Sequence, residues 1–475
     1  MTSRGHYIGG EWIEGTGTPF SRENPSTGEI GWQGRAAVAK EIDAAAAAAR
    51  SVLPSWADAS QTRRSEVVTA IAEGYKHRKA DLVEAICRQT GKPRWEAALE
   101  VDAMIAKAAI SIAAQNQRRS PAAGIRYRPI GVLAVIGPFN MPGHLPNGHL
   151  MPAVLAGNPV IFKPSELTPR VGELLAEIWA EAGIPPGVFN MVQGGAQTGS
   201  LLTAHPSLDG VLFTGSVAAG SAIHRGLAGH PEKLLALEMG GNNPLIAWDC
   251  ADLDAAAYCI VQSAFITSGQ RCTCARRLIV RQGSPLIERL VKTMSRIRAG
   301  IYTDQPEPFM GTVISAAAAQ KLVKAHADLK GRMIVEMRLD PRCPALLHPG
   351  LIDMTGAQAQ DTELFGPLLQ LIFVGDFDAA IAEANRTRFG LAAGLLSDDP
   401  KLYESFARRI RAGVLAFNRP TTGARSDLPF GGIGVSGNHR PSALFAADYC
   451  CDPIASAESP RVTLPEKLPP GLELA

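Results

Sequence analysis

Two short strings in this chain hold side chains that could share one reaction. In Ser268-Gly269-Gln270-Arg271-Cys272-Thr273-Cys274, Cys272 is a thiol placed after a Gly-Gln pair, where a helix-like pattern breaks off. In Leu237-Glu238-Met239-Gly240-Gly241-Asn242-Asn243-Pro244, Glu238 follows an apolar run and precedes two glycines that let the chain turn and water approach. A thiol can add to a carbonyl and become acylated, and a neighbouring carboxylate can then drive water onto the acyl group. Together these steps are a covalent route from an aldehyde to an acid. Taken singly, each residue has a plainer explanation. A free cysteine is commonly a small core residue, and an acid at a strand end is commonly solvated. Glu238 is the less ordinary of the two, because carboxylates at the carboxyl ends of buried strands belong to ligand crevices. Burial there would raise its pKa towards that of a useful general base. Cys274 adds a Cys-x-Cys spacing, but with no second pair or nearby His this does not make a zinc site, and no metal is expected.

Positioning such residues needs a rigid frame, and the hydrophobic pattern supplies one. With 475 residues the chain is too long for one ordinary core, so two or three domains are expected. Residues 1–36 read as short strands and loops. Helical patterns follow at 41–52, 62–77, 80–90 and 94–116, the first of them holding a helix-favouring alanine run. From Gly131 the pattern changes. Short apolar runs at 131–137, 159–163, 188–192, 211–214 and 233–238 alternate with helical stretches at 149–156, 170–182, 198–204 and 218–228. A second alternating series has helices at 253–268, 286–299 and 378–385, and strands at 277–280, 369–374, 391–396 and 414–418. Such alternation predicts parallel sheets covered by helices on both faces, an α/β protein. The tail carries Pro453, Pro460, Pro465, Pro469 and Pro470, so it cannot form a long helix and is expected to pack as an arm.

Composition excludes other classes. The formal net charge of +2 and the short basic clusters do not make a nucleic-acid surface. No apolar run approaches the roughly 18 residues of a membrane span, and the N-terminus lacks the apolar stretch of a signal peptide. Eight irregularly placed cysteines do not make a disulfide framework. A reducing cytoplasm is expected.

Two glycine-rich strings compete as a phosphate cradle. Gly432-Ile433-Gly434-Val435-Ser436-Gly437 matches G-x-G-x-x-G literally, but Pro441 and the tail follow instead of a βαβ unit. It is expected to be a flexible loop near a substrate mouth. Phe213-Thr214-Gly215-Ser216-Val217-Ala218-Ala219-Gly220 directly follows a strand and opens a helix, whose N-terminus can face a pyrophosphate.

These strings, with Lys163-Pro164-Ser165-Glu166, Gly137-Pro138-Phe139-Asn140 and Glu363-Leu364-Phe365-Gly366-Pro367, resemble the aldehyde dehydrogenase superfamily in order and over nearly the whole chain, from about residue 8 to 440. The resemblance implies a Rossmann-type NAD-binding domain at 1–115 and 130–238, a second α/β catalytic domain at 239–440, and a small oligomerisation arm and tail at 116–129 and 441–475. It implies that Cys272 attacks an aldehyde, that Asn140 and the Cys272 N–H hold the oxyanion, and that Glu238 activates water. NAD would be held by Lys163 and Glu166 at the adenosine ribose, by Gly215, Ser216, Val217, Ala218, Ala219 and Gly220 under the pyrophosphate, and by Glu363 and Phe365 at the nicotinamide end. A carboxylate at Glu166 repels a 2′-phosphate, which favours NAD over NADP. A homo-dimer or homo-tetramer is implied as well.

Some positions depart from the common family pattern. Phe139 and Met141 flank Asn140 where many relatives have Trp and Phe, Gly434 stands for a common Lys, and Gln89 for a common Glu. The strings Gly143-His144-Leu145-Pro146-Asn147-Gly148-His149, Arg271 to Arg277 and Gly437-Asn438-His439-Arg440-Pro441 resemble a branch of the superfamily acting on a semialdehyde that carries carboxylates. Such a substrate needs cationic or amide anchors, and the candidates are Arg276, Arg419, Arg425 and Arg440, with His144, Asn147 and His149. Three other readings stand beside this one: a dehydrogenase of another acidic semialdehyde, a coenzyme-A-acylating enzyme, for which Glu238 would be superfluous, and a non-catalytic binding protein on the same fold.

Overall fold

The computed structural model describes residues 3–119, 124–357 and 360–474. Met1 and Thr2, positions 120–123 of the expected arm and Ala475 at the end of the expected tail lie outside the described residues.

Two seven-stranded sheets organise the chain. The first runs Leu234–Met239, Gly210–Gly215, Leu133–Ile136, Val160–Lys163, Phe189–Met191, His6–Ile8, Glu11–Ile13. Its first five strands are parallel and the two N-terminal strands add antiparallel. Alternate side chains of one strand enter different cores. Leu133 and Val135 pack with Phe162 and Trp179, whereas Ala134 and Ile136 pack with Ile161 and Phe213. Burial on both faces is why these strands read as unbroken apolar runs. From Leu133–Ile136 the chain crosses to Val160–Lys163 on one side and later reaches Gly210–Gly215 on the other. The loops leaving Ile136 and Gly215 therefore diverge, and a crevice opens beyond the carboxyl ends of the strands.

The second sheet runs Arg332–Val335, Gly350–Asp353, Leu368–Val374, Ala275–Arg281, Asn243–Ala247, Ala392–Leu396, Val414–Phe417, parallel except at its first pair. It also buries both faces, with Leu245 and Ala247 in one cluster and Ile246 and Trp248 in another. Met239 ends a strand of the first sheet and Asn243 begins one of the second, so Gly240 and Gly241 lie on the seam. Cys272 approaches the seam from the other side, just before the strand Ala275–Arg281.

The segment after Pro429 returns to the first sheet and covers its open edge. Asn438 takes the place of a neighbouring strand at Leu234–Met239: its Oδ1 accepts from the Leu237 N–H at 2.9 Å and its Nδ2 donates to the Leu235 carbonyl at 2.9 Å. Gly437 bridges to Glu238, and Ser436 Oγ donates to the Gly240 carbonyl at 2.7 Å. Edges left unpaired invite wrong pairing, and this segment removes that liability. The glycine-rich string 432–437 is thus pinned along the seam, and the expectation of a flexible loop at a substrate mouth is corrected. Its glycines are needed for close approach, since a Cβ on Gly432 would lie 2.3 Å from Ser436 Cβ.

The helices Gln61–His77, Lys79–Thr90 and Arg94–Arg118 match their expected positions within two residues. The pattern at 286–299 yields only the helix Leu286–Met294, because Ala299 is drawn into a bridge with Met310. The helix Ala316–Asp328, capped by Ser315, was not anticipated. Ile125–Pro129 and Cys451–Ala455 pair antiparallel as a two-stranded ribbon, joining the two segments that the sequence grouped as arm and tail.

Candidate active site

The loop that presents Cys272 is built by an abrupt stop. Helix Leu253–Phe265 runs into a tight turn, Ile266–Gly269, in which Thr267, Ser268 and Gly269 all take positive φ (56°, 52° and 71°). A left-handed conformation costs a non-glycine residue about 1–2 kcal/mol, so the surroundings must hold it. Glu96 takes hydrogen bonds from the Thr267 N–H and hydroxyl, and Ser268 Oγ donates to the Gly311 carbonyl at 2.7 Å. Gly269 cannot carry a side chain, because a Cβ there would meet the Gly366 carbonyl oxygen at 2.1 Å. Asn243 Nδ2 fastens the far side of the loop by donating to the Cys272 and Cys274 carbonyls at 2.7 and 2.9 Å. Cys272 itself is partly exposed, whereas Cys274 is buried. Burial, with the nearby Glu363 and Glu238 carboxyls, pushes the Cys272 thiol up to about 12.

Glu238 stands at the carboxyl end of Leu234–Met239, as its flanking residues require. It is buried, accepts from the Ser442 N–H at 3.2 Å through Oε1, and leaves Oε2 without a partner among the described residues. Burial raises its pKa to about 8 against the opposing Ser442 contact. Such a group gains and loses a proton in the working range of an enzyme. Asn140 follows the strand Leu133–Ile136, is buried, and forms no side-chain hydrogen bond with the described residues.

Cys272, Glu238 and Asn140 border two cavities at once. The larger has a volume of about 1060 Å³ and lies over the crevice of the first sheet. That is the upper end of the roughly 300–1,000 Å³ of small-molecule and cofactor sites. Lys163, Glu166, Gly215, Ser216, Ala219, Glu363 and Phe365 all line it. Lys163 Nζ donates to the Pro164 and Gly194 carbonyls, each at 2.8 Å, and lies 3.7 Å from the half-exposed Glu166. Ser216 caps the helix Val217–Gly226 by accepting from the Ala219 N–H, which leaves the helix N-terminus at the cavity wall. Val217, Ala218 and Gly220 do not line the cavity. Gly220 faces the sheet, where a Cβ would meet Met239 Sδ at 2.4 Å, so it sets helix-to-strand distance. Glu363 lies against Gly240 so closely that a Cβ there would be 1.8 Å from its Oε2. Phe365 packs edge-on against Phe139 at 5.9 Å.

The smaller cavity, about 120 Å³, borders the same three residues. His144 and Arg425 line it. Arg425 is exposed and paired with Asp427 at 2.6 Å. Arg276 requires correction as a substrate anchor. It is 1% exposed and reaches the Gly269 and Arg271 carbonyls at 2.5 and 3.0 Å and Glu363 Oε1 at 3.4 Å, with its guanidinium 5.3 Å over the Phe365 ring. It is a strut that ties the Cys272 loop to Glu363. Arg419 and Arg440 are exposed and line neither cavity, so they too are corrected. His149 lines the smaller cavity, bonded to Tyr449 and Thr214 at 2.9 and 3.1 Å, whereas Asn147 is buried against Tyr75 and Met104. Two lining cations, Lys107 and Arg271, were not among the anchor candidates of the sequence, although Arg271 lay in a quoted string. The signal for Lys107 was available: it falls on the buried stripe of its helix, with Glu100, Met104 and Ser111, at helical spacing.

Comparison with known proteins agrees with this geometry. The sequence matches the aldehyde dehydrogenase family over residues 12–452. It is 51% identical to an N-succinylglutamate 5-semialdehyde dehydrogenase of Ectopseudomonas mendocina (strain ymp), with 99% of each chain covered. It is 51% identical to the protein of the same name from Escherichia coli (strain K12), with 99% of this chain and 98% of the relative covered. Among solved structures, a 1-pyrroline-5-carboxylate dehydrogenase from Thermus with bound NAD superposes with a TM-score of 0.88 at 31% identity, covering 95% of this chain and 92% of that one.

Proposed function

Because this chain belongs to the aldehyde dehydrogenase family, we propose that it oxidises N-succinyl-L-glutamate 5-semialdehyde to N-succinyl-L-glutamate with NAD, a step of bacterial arginine breakdown. Full-length identity of 51% to relatives of that name supports the substrate, and the motif strings around His144, Arg271 and Arg440 resemble the same branch. The identity to the 1-pyrroline-5-carboxylate enzyme is 31%, which makes glutamate 5-semialdehyde the weaker reading. The observation that carries the chemistry is the placement of Cys272, Glu238 and Asn140 on the wall shared by two cavities. The size of the larger cavity, the helix N-terminus at its wall and the lining carboxylate Glu166, which could accept hydrogen bonds from a ribose, support a dinucleotide there. NAD, when bound, supplies a hydride acceptor and a positive charge.

This chain's residues do the rest. Cys272 gives its thiol proton to water, an ionisation that the positive charge of a bound nicotinamide would favour against the burial that holds the thiol high, and its sulfur adds to the aldehyde carbon through the smaller cavity to form a thiohemiacetal. The unpartnered Asn140 amide, with the Cys272 N–H, donates to the oxyanion. After hydride loss the carbon is a thioester. Glu238, as carboxylate, takes a proton from water, and the hydroxide adds to the thioester and expels Cys272. The balance is aldehyde, NAD and water in, acid, NADH and a proton out.

In this reading residues 1–115 and 130–238 hold the dinucleotide and 239–440 carry the nucleophile, with the paired ribbon Ile125–Pro129 and Cys451–Ala455 serving assembly as a dimer or tetramer. A cytoplasmic setting fits eight free thiols among the described residues, where no helix is long and apolar enough to cross a membrane. NADH formation across aldehydes of differing charge and length tests the reading. The succinylated semialdehyde is expected to have the highest kcat/KM, and a neutral aldehyde of equal length outpacing it would refute the substrate.

A further inference from the structure

The walls of the smaller cavity carry three cations, Lys107, Arg271 and Arg425, and one acid, Glu238. Two of the cations already have carboxylates. Arg271 is held by Glu96 at 2.9 Å and Arg425 by Asp427 at 2.6 Å. Lys107 has neither an ion pair nor a side-chain hydrogen bond among the described residues, although only 1% of it is exposed. It belongs to the buried stripe of helix Arg94–Arg118. The other charged members of that stripe are matched: Glu96 by Arg271 and Thr267, and Glu100 by Lys92 at 2.6 Å and by the Gly143 N–H at 3.0 Å. The Glu100 contact also fixes the helix Arg94–Arg118 against the start of His144–Leu155, which sets His144 on the same cavity wall. His144 Nδ1 is a buried atom with no partner among the described residues.

A buried ammonium without a counter-charge is costly, and a helix could have used an apolar residue at that position without loss. We propose that Lys107 is the specificity-determining anchor of this enzyme, its ammonium binding a carboxylate of the semialdehyde substrate while its neighbour His144 donates a hydrogen bond to the same group. The inference rests on the functional reading above and narrows it to a residue. Burial lowers the Lys107 pKa to about 8, so the ammonium form prevails at neutral pH, and it lowers His144 to about 4, so that ring is a neutral donor. Glu238 does not compensate Lys107, because its own burial favours the neutral acid at neutral pH.

The test compares kcat/KM for N-succinyl-L-glutamate 5-semialdehyde with that for pentanal, an uncharged aldehyde, in the wild type, Lys107→Met and Lys107→Arg. The preference for the acidic substrate is expected to fall roughly 10- to 100-fold in Lys107→Met, the worth of one charged hydrogen bond, chiefly through KM. Lys107→Arg should recover part of it. A preference that stays within about twofold of wild type in Lys107→Met overturns the assignment, as does a loss carried wholly by kcat on both substrates. Should the methionine variant not fold, Lys107→Gln carries the same comparison. If the wild type itself lacks the preference, the proposed substrate falls. If the wild type has it and Lys107→Met keeps it, only the anchor falls.

Discussion

The two cavities that meet at Cys272 are made in different ways. The larger is walled by backbone and by polar side chains whose partners lie within the protein: Lys163 on the Pro164 and Gly194 carbonyls, Ser216 on its own helix, Glu363 beside Arg276. The smaller sets open side chains, Lys107 unpaired and His144 Nδ1 unpartnered among the described residues, beside partnered ones such as Arg271 and His149. A site built on chain path and satisfied polar groups suits a ligand common to a whole family. A site that keeps a few side chains unmatched suits one particular substrate. Cys272 and Glu238 serve both because they stand where the two sheets abut.

Substitutions on the shared wall should affect both cavities' function most severely. Cys272→Ala is expected to lower kcat by about four orders of magnitude or more, as removal of a covalent nucleophile does, while NADH still binds when followed by fluorescence. Retention of turnover would detach the wall from the chemistry. Glu238→Gln should lower steady-state kcat by roughly 10²- to 10⁴-fold. Wild-type kcat should depend on pH with a sign set by the raised pKa of Glu238 near 8. Below that value the carboxyl is protonated and cannot take a proton from water, so the rate falls about tenfold per unit of pH; above it the rate levels off. Glu238→Gln should lose this dependence, and a variant profile that still bends near 8 would assign the titration to another group. On the larger side alone, Glu166→Gln should raise KM for NAD by about tenfold, one charged hydrogen bond, and leave KM for the aldehyde unmoved. A change in both would mean that the cavities are not separable.

The same contrast explains what the sequence disclosed. Cys272 and Glu238 stood out from the residues alone because each lies in a short contiguous string where a helix or strand gives way to a turn, whereas Lys163 and Glu363 entered only through the family resemblance. The alternation of apolar strands and helices gave both sheets for the same reason. Arg276 was misassigned, since a guanidinium that serves backbone carbonyls looks in sequence like one that serves a ligand. Gly220 was grouped with the phosphate cradle, and the structure adds that it packs on Met239, a residue brought close only by the packing of helix on sheet. Lys107 was passed over although its helical spacing with Glu100, Met104 and Ser111 placed it on the buried stripe; what linear order does not display is that no acid lies beside it in space. The string 432–437 looked mobile for its glycines, yet those glycines permit the close packing that holds Glu238 in place.

The most direct test of the shared wall is a pre-steady-state burst experiment on Glu238→Gln. With NAD and the semialdehyde in excess, NADH should appear in a burst of about one equivalent per active site. Acid quenching and peptide mass analysis should then find the acyl group on Cys272. Slow linear NADH formation with no burst, or an acyl group on any other residue, would contradict the division of labour between the thiol and the carboxylate.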